Sequence, residues 1–382
     1  MHCQNCETDG VAANMFRYRD RPIAKKVVSR LKEMKLDIRL MHVCGTHQDT
    51  IVRYGLDQTF RECGIDMRQG PGCPVCVTTA REFEEAMTLA KNGKTIASFG
   101  DAVRVPGRLR SLLDLRSEGH DVRIVYSIAD AVNIAKKTEN EVVFLAIGFE
   151  TTAPSTAVTI LSDLPKNFSI LGCHRYVPPA LFKLMEMGEI RLNGLIEPGH
   201  VSTIIGVKPY EPLSRKYRIP QVVAGFEPLD MLMAVYMLAR QIQNGEAKVE
   251  NEYTRSVAYE GNVKALKVMD ETFEPLDTDW RGFPIIANSG MKLKKKYESF
   301  DARKIYADEL RQVAELEIKG SEKCRCNEIL RGLLDSSDCE LFGKACTPQH
   351  PVGPCMVSVE GLCNIEYRYA SRERLRKTPS DA

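Results

Sequence analysis

Cys73 and Cys76 stand in the stretch GPGCPVC, residues 70–76. A Cys-x-x-Cys span can close a disulfide or chelate a metal. Pro71 and Pro74 stiffen the loop, while Gly70 and Gly72 permit a tight path, so joining the sulfurs costs little further entropy. Ile65 to Arg68 reads as a strand, and Thr79 with Glu82 marks a capping box opening a helix from about Ala80. The thiols therefore fall between a strand end and a helix start. There the dipole and free N–H groups favour a thiolate, which predicts a pKa below the ordinary ~8.5. Redox pairing fits better than zinc, because no second Cys-x-x-Cys follows at zinc-ribbon spacing. Two packing cysteines are the bland alternative.

Cys44 lies in MHVCGTHQDTI, again at the end of an apolar run. Gly45 lets the chain turn close to a ligand, Thr46 can cap the next helix, and Cys44 and His47 can face one site. GFETTAP (148–154) is a third strand-end loop, offering one carboxylate, the hydroxyls of Thr151 and Thr152, and helix-start N–H groups able to hold an anion. EPGHVSTIIG (197–206) contributes His200. Each stretch alone reads equally well as an ordinary turn with a core cysteine, a capping threonine or a structural histidine. Ligand crevices in open parallel sheets lie outside the carboxyl ends of the strands, so thiols 44, 73 and 76 are expected to converge on one crevice.

Cys324, Cys326, Cys339, Cys346, Cys355 and Cys363, with His350, crowd into residues 324–363. Four thiolates can hold an iron–sulfur cluster or a zinc ion. Spacing alone does not choose the ligands. Wide, uneven gaps suit a cubane enclosed by loops better than paired zinc knuckles. The chain has 13 cysteines, an odd number, which argues for metal ligation or thiol chemistry rather than a disulfide framework.

The elements that must position these residues are legible. IRLMHV (38–43), TIASF (95–99), VRIVY (122–126), VVFLAI (142–147), FSILG (168–172) and QVVAG (221–225) read as strands. REFEEAMTLAKNG and PLDMLMAVYMLARQIQNG read as helices closed by Gly93 and Gly245. Strands alternating with helices predict parallel α/β units. AIGFETT and VAGFEPL echo each other, as two similar lobes would. The expected class is α/β, with two similar parallel-sheet lobes and a small irregular, partly helical C-terminal iron–sulfur domain. The expected division is 13–126 for the first lobe with the Cys44 and Cys73/Cys76 loops, and 127–245 for the second with GFETTAP. A connecting segment follows at 246–318 and a cysteine-rich segment at 319–382. KLKKKY (292–297) reads as a solvated charge run, and RERLRKTPSDA as a frayed basic end.

A net charge of +2 argues against a dedicated nucleic-acid binder. No apolar run reaches the roughly 18 residues of a membrane span, and the start has no signal-peptide core, so a soluble cytoplasmic protein is expected.

Together, CGTHQDTI, GPGCPVCVT, GFETTAPSTA, EPGHVSTIIG, SGMKLKKKYESFDA and the tail through EGLC resemble, in order, the HypD family of nickel–iron hydrogenase maturation factors, over roughly residues 13–370. The resemblance implies two α/β lobes and a 4Fe–4S cluster on a C-x14-C-x6-C-x16-C pattern, met here by Cys324, Cys339, Cys346 and Cys363. Cys326 and Cys355 fall outside that pattern, as does Cys3-x-x-Cys6. It implies Cys44 as the thiolate that binds a transient iron carrying cyanide and carbon monoxide, and Cys73 with Cys76 as a redox-active pair. His47, Thr151, Thr152, His200 and Glu360 become supporting residues. The implied partners are a HypC-type small maturation protein, a HypE-type cyanide donor and, indirectly, the hydrogenase large subunit. Many members carry Glu where Gln48 stands, so the acid that a proton-transfer role would need there is missing.

Two other readings compete with an assembly scaffold. One is an iron–sulfur-linked disulfide oxidoreductase, for which a third thiol in the crevice is unnecessary. The other is a zinc-stapled binding module.

Overall fold

The computed structural model of the chain describes residues 20–316 and 323–376. Cys3, Cys6 and the last residues of the basic end lie outside the described residues. In chain order the first strands are β1 (Ile38–His42), β2 (Ile65–Gln69), β3 (Thr95–Ser98), β4 (Val122–Ile124), β5 (Val142–Gly148), β6 (Phe168–His174), β7 (Gly194–Pro198), β8 (Gln221–Ala224) and β9 (Val249–Asn251). They form two sheets, a five-stranded one in the order β2-β1-β7-β8-β9 and a four-stranded one in the order β4-β3-β5-β6. Every pairing within them is parallel. The fold is thus α/β with two parallel-sheet lobes and a small irregular C-terminal region.

The apolar strand runs explain the sheets. VVFLAIG of β5 is buried along its whole length, as a central parallel strand covered on both faces must be. The two Gly-Phe-Glu echoes end β5 and β8, one strand in each sheet. The helix Ala80–Lys91 opens on the expected capping box of Thr79 and Glu82. Gly93 and Gly245 adopt φ of 84° and 67° after their helices, the left-handed turn that glycine tolerates best.

The lobes are interleaved, and this corrects the expected division at 126. After β1 and β2 the chain crosses to the second sheet, builds it from β3 to β6, and returns for β7 to β9. A cut at 126 would separate β3 and β4 from β5, although β3 pairs with both β4 and β5. The outward crossing runs through the Cys73/Cys76 turn and the helix Ala80–Lys91. The return runs through the helix Val177–Met187.

Residues 246–300 are more regular than expected. They hold an antiparallel hairpin, β10 (Phe273–Thr278) with β11 (Ile286–Leu293), which packs against β6. In the tail, the short helix Pro354–Val357 packs on the short helix Pro74–Val77, and Leu362–Arg376 packs on Gly45–Arg53. These contacts bring residues some 280 positions apart to one place.

Candidate functional site

In the five-stranded sheet the chain leaves β1 toward β2 on one side, while β7 lies on the other. The order therefore reverses between β1 and β7, where the loops at the carboxyl ends splay apart and open a crevice. Cys44 lies just past β1, Glu197 sits near the carboxyl end of β7, and His200 follows β7.

Gly72 and Gly45 permit the close approaches there. A Cβ on Gly72 would lie 2.3 Å from the Cys44 backbone nitrogen, so the Cys73 loop rests directly on the Cys44 turn. A Cβ on Gly45 would lie 2.3 Å from the Glu360 carbonyl oxygen, so the tail closes over the same turn. His47 is buried, and its Nε2 sits 3.2 Å from the Ala224 carbonyl. That bond makes Nε2–H the donor and leaves Nδ1 an acceptor. Burial lowers the His47 pKa to about 3 and that of His42 to about 4, so both rings are neutral. His200 is exposed, stacked on Phe226 at 3.9 Å between ring centroids, and Phe226 in turn packs on His47 at 5.1 Å. Cys44, His47, His200 and Glu360 therefore share one neighbourhood.

Thr151 and Thr152 do not join it. Thr151 is exposed, and Thr152 lines a separate hollow with Phe144, Thr156 and His174. The inward residue of that loop is Glu150, fully buried, with Oε1 accepting from the Val177 N–H at 2.9 Å and Oε2 unpartnered among the described residues. Glu197 is equally buried, and among the described residues neither of its carboxyl oxygens has a hydrogen-bond partner. Burial raises both acids to about 8. Burial also raises Tyr210 far above its usual value, and Glu197, Glu150 and Cys44 all push it further in that direction. The Tyr210 hydroxyl itself hydrogen-bonds Ser202 Oγ at 3.1 Å.

Cys44 and Cys76 are less acidic than an ordinary thiol. Burial pushes Cys44 up to about 11, against the opposing pull of the His47 and Thr46 backbone N–H groups. Cys76 is raised well above its usual value by burial. The capping box opens the next helix, whereas Cys76 sits inside the separate one-turn helix Pro74–Val77, whose dipole is small. Cys73 and Cys76 are 2% and 0% exposed, so the pair is enclosed rather than open to solvent.

Cys73, Cys76 and Cys355 are buried in one core cluster, where the short helices carrying Cys76 and Cys355 pack together. The Cys355 and Cys326 sulfurs lie 2.8 Å apart. Cys324 and Cys326 line the same cavity. Thiols thus gather from the turn beside Cys44 into the tail. Sequence reasoning set Cys326 and Cys355 aside. A signal was present: Pro354-Cys355-Met356-Val357 repeats the Pro-started, one-turn pattern of Pro74-Val75-Cys76-Val77, and these are the two short helices that pack together.

Cys324, Cys339, Cys346 and Cys363 line one small apolar cavity together with Cys326 and Cys355, walled by Ile329, Leu341, Phe342 and Met356. Burial lifts Cys363 to about 12 and raises Cys346. Such a cavity is hostile to bare thiolates and suits them only with a metal charge among them. Among the described residues, no group of three or more His, Cys, Asp or Glu is gathered closely enough for a single ion. A tetrahedral zinc would hold its thiolates roughly 3.8 Å apart.

The fold and site define a thiol-rich, two-lobed α/β protein with a cysteine-lined tail cavity. Residues 21–370 match the model of the HypD family, described as the hydrogenase formation hypA family. The chain is 50% identical over 362 residues to a Methanocaldococcus jannaschii protein named for hydrogenase expression and formation, covering 93% of this chain and 99% of that one. It is 41% identical to hydrogenase maturation factor HypD2 of Bradyrhizobium diazoefficiens, covering 92% and 95%. It is 39% identical to HypD of Cupriavidus necator, covering 92% and 96%. The chain belongs to the HypD family, and its role lies in hydrogenase maturation. Among the described residues no helix is long and apolar enough to cross a membrane.

Proposed function

We propose that this chain is the scaffold on which the Fe(CN)2CO group of a nickel–iron hydrogenase is assembled, held jointly with a HypC-type partner and supplied by a HypE-type cyanide donor. The cytoplasm, a reducing compartment, suits its many free thiols. Iron is the cargo, and Cys44 is its ligand on this chain. A thiolate is a soft donor suited to iron carrying cyanide and carbon monoxide. The buried Cys44 thiol stays protonated until the metal displaces its proton. The site lies at the crevice where the sheet order reverses, and exposed His200 marks its rim.

The observation that carries the redox part is the gathering of Cys73, Cys76, Cys355 and Cys326 in one buried cluster with Cys324 packed against it, the Cys355 and Cys326 sulfurs 2.8 Å apart. Thiol–disulfide exchange within it is balanced. Cys355, losing its proton, attacks the Cys76 sulfur of a Cys73–Cys76 disulfide and releases Cys73; Cys326 then attacks Cys355, so a Cys326–Cys355 disulfide forms and Cys73 and Cys76 take up the two protons as thiols. A 4Fe–4S cluster held by Cys324, Cys339, Cys346 and Cys363 supplies one-electron storage beside these thiols when bound. Enclosure of the Cys73/Cys76 pair favours this internal route over a disulfide oxidoreductase acting on an outside protein.

Anaerobic purification with iron, sulfide and zinc analysis, combined with hydrogenase maturation by Cys73→Ala and Cys76→Ala, tests the proposal. Iron with matching sulfide and failed maturation in both variants are expected. Zinc without sulfide, or intact maturation in both variants, would overturn it.

A further inference from the structure

Arg281 follows the buried Trp280 and enters the space between the dithiol turn and the tail. Its backbone N–H donates to the Val77 carbonyl at 2.8 Å, and its Nε–H donates to the Thr78 carbonyl at 3.1 Å. Those carbonyls end the one-turn helix that carries Cys76. Arg281 also lines a cleft of ≈390 Å³ together with Cys324 and Cys326. The same two cysteines line the inner thiol cavity, so they form the wall between cleft and cavity.

The guanidinium is unusual in what it lacks. Its Nη2 is buried without a hydrogen-bond partner among the described residues. Arg325 and Arg331, in the same cleft, are paired with Glu328 and Glu189. No carboxylate pairs with Arg281 among the described residues. A guanidinium does not shed its proton in a protein, so this is a permanent positive charge. A half-buried guanidinium with an unpartnered Nη2 is stabilised by a nearby anion. The sulfur of Cys324 lines the same cleft as this cation and is the group there that would carry negative charge as a metal ligand.

We propose that Arg281 is a positioning and charge-compensating residue between the dithiol turn and the thiol cavity. Its fixed cation favours negative charge on the Cys324 side of the cavity and so raises the reduction potential of a cluster bound there. Its two hydrogen bonds hold the Cys76 helix against Cys355. The inference rests on the cluster reading above.

The test uses the full chain, loaded anaerobically with iron and sulfide, as wild type, Arg281→Gln and Arg281→Lys. Iron and sulfide content are measured first, and the midpoint potential follows from a titration read by electron paramagnetic resonance. Equal loading is expected in all three. At the wild-type midpoint, Arg281→Gln is expected to shift the oxidised-to-reduced ratio about tenfold toward oxidised, some 59 mV for one electron. Arg281→Lys should recover most of that shift. An unmoved midpoint in Arg281→Gln, or an equal fall in Arg281→Lys, overturns the inference. Asn327→Asp guards against a variant that fails to fold, because Asn327 is exposed, lines the same cleft and is replaced isosterically. Its carboxylate should lower the midpoint in the same direction, and an unmoved midpoint there also counts against the inference. Wild type that takes up no sulfide would sink the cluster reading itself, a result distinct from a loaded protein whose potential ignores residue 281.

Discussion

Glu197 is the buried group whose charge state has the largest readable consequence. Its folded pKa is about 8 against an ordinary 4.5, and burial is the cause. Below about pH 4.5 the acid is protonated in both folded and unfolded chains and costs nothing. Above that pH the unfolded chain ionises while the folded chain holds its proton. Folding stability then falls by about 1.4 kcal/mol per pH unit until about pH 8, where the folded form ionises too. At pH 7 the accumulated loss is about 3 kcal/mol. Glu197→Gln removes the titration and keeps the shape. The amide's own unsatisfied hydrogen bonds make absolute stability a poor readout, so the slope is the quantity to compare. Urea unfolding of the reduced, metal-free protein at pH 5.5, 6.5 and 7.5 gives it. Between the outer points wild type should lose about 2–3 kcal/mol more than Glu197→Gln. Glu150, with the same shift, persists in both proteins and cancels in the difference. Parallel profiles would show that Glu197 is ionised in the fold and has a counter-charge, and the picture of a neutral acid at that position would be wrong.

Gly45→Ala should destabilise by about 1–3 kcal/mol, because its Cβ would meet the Glu360 carbonyl at 2.3 Å; thermal unfolding reads this directly. Cys355→Ala should leave the Cys73–Cys76 disulfide unreduced when the loaded protein receives electrons at the tail, as seen by thiol alkylation and mass spectrometry, while iron and sulfide content is unchanged. Gln48→Glu should place a carboxylate where the Gln48 amide donates to Glu366 at 2.6 Å. Glu366 is already raised to about 7 by burial, so the loss of stability should grow as pH climbs through 7, by about 1–3 kcal/mol in denaturant midpoints.

Much of this was legible in the sequence because it is local. The apolar runs that became β1, β3, β5, β6 and β8, the Thr79 capping box and the two Gly-Phe-Glu strand ends all depend on neighbours within a few residues. The interleaving was not legible, since no local signal tells β3 that it pairs with β5 rather than β1. β7, GLIEP, was missed because glycine, glutamate and proline weaken its strand pattern although every residue is buried. The gathering of Cys44, His47, His200 and Glu360 follows from strand-end geometry plus the return of the tail helix. Placing Thr151 and Thr152 beside them failed, because successive residues of the turn face opposite ways and the inward one is Glu150. Cys326 and Cys355 make sense only in space, where two one-turn helices from opposite ends of the chain touch.

Everything returns to Cys44 as the sulfur that holds the iron cargo. Infrared spectroscopy of the anaerobically isolated complex with a HypC-type partner, wild type against Cys44→Ala, tests this most directly. The account predicts bands of metal-bound cyanide and carbon monoxide in wild type and their loss in the variant, with tail iron and sulfide retained. Bands that persist without the Cys44 thiol would contradict it.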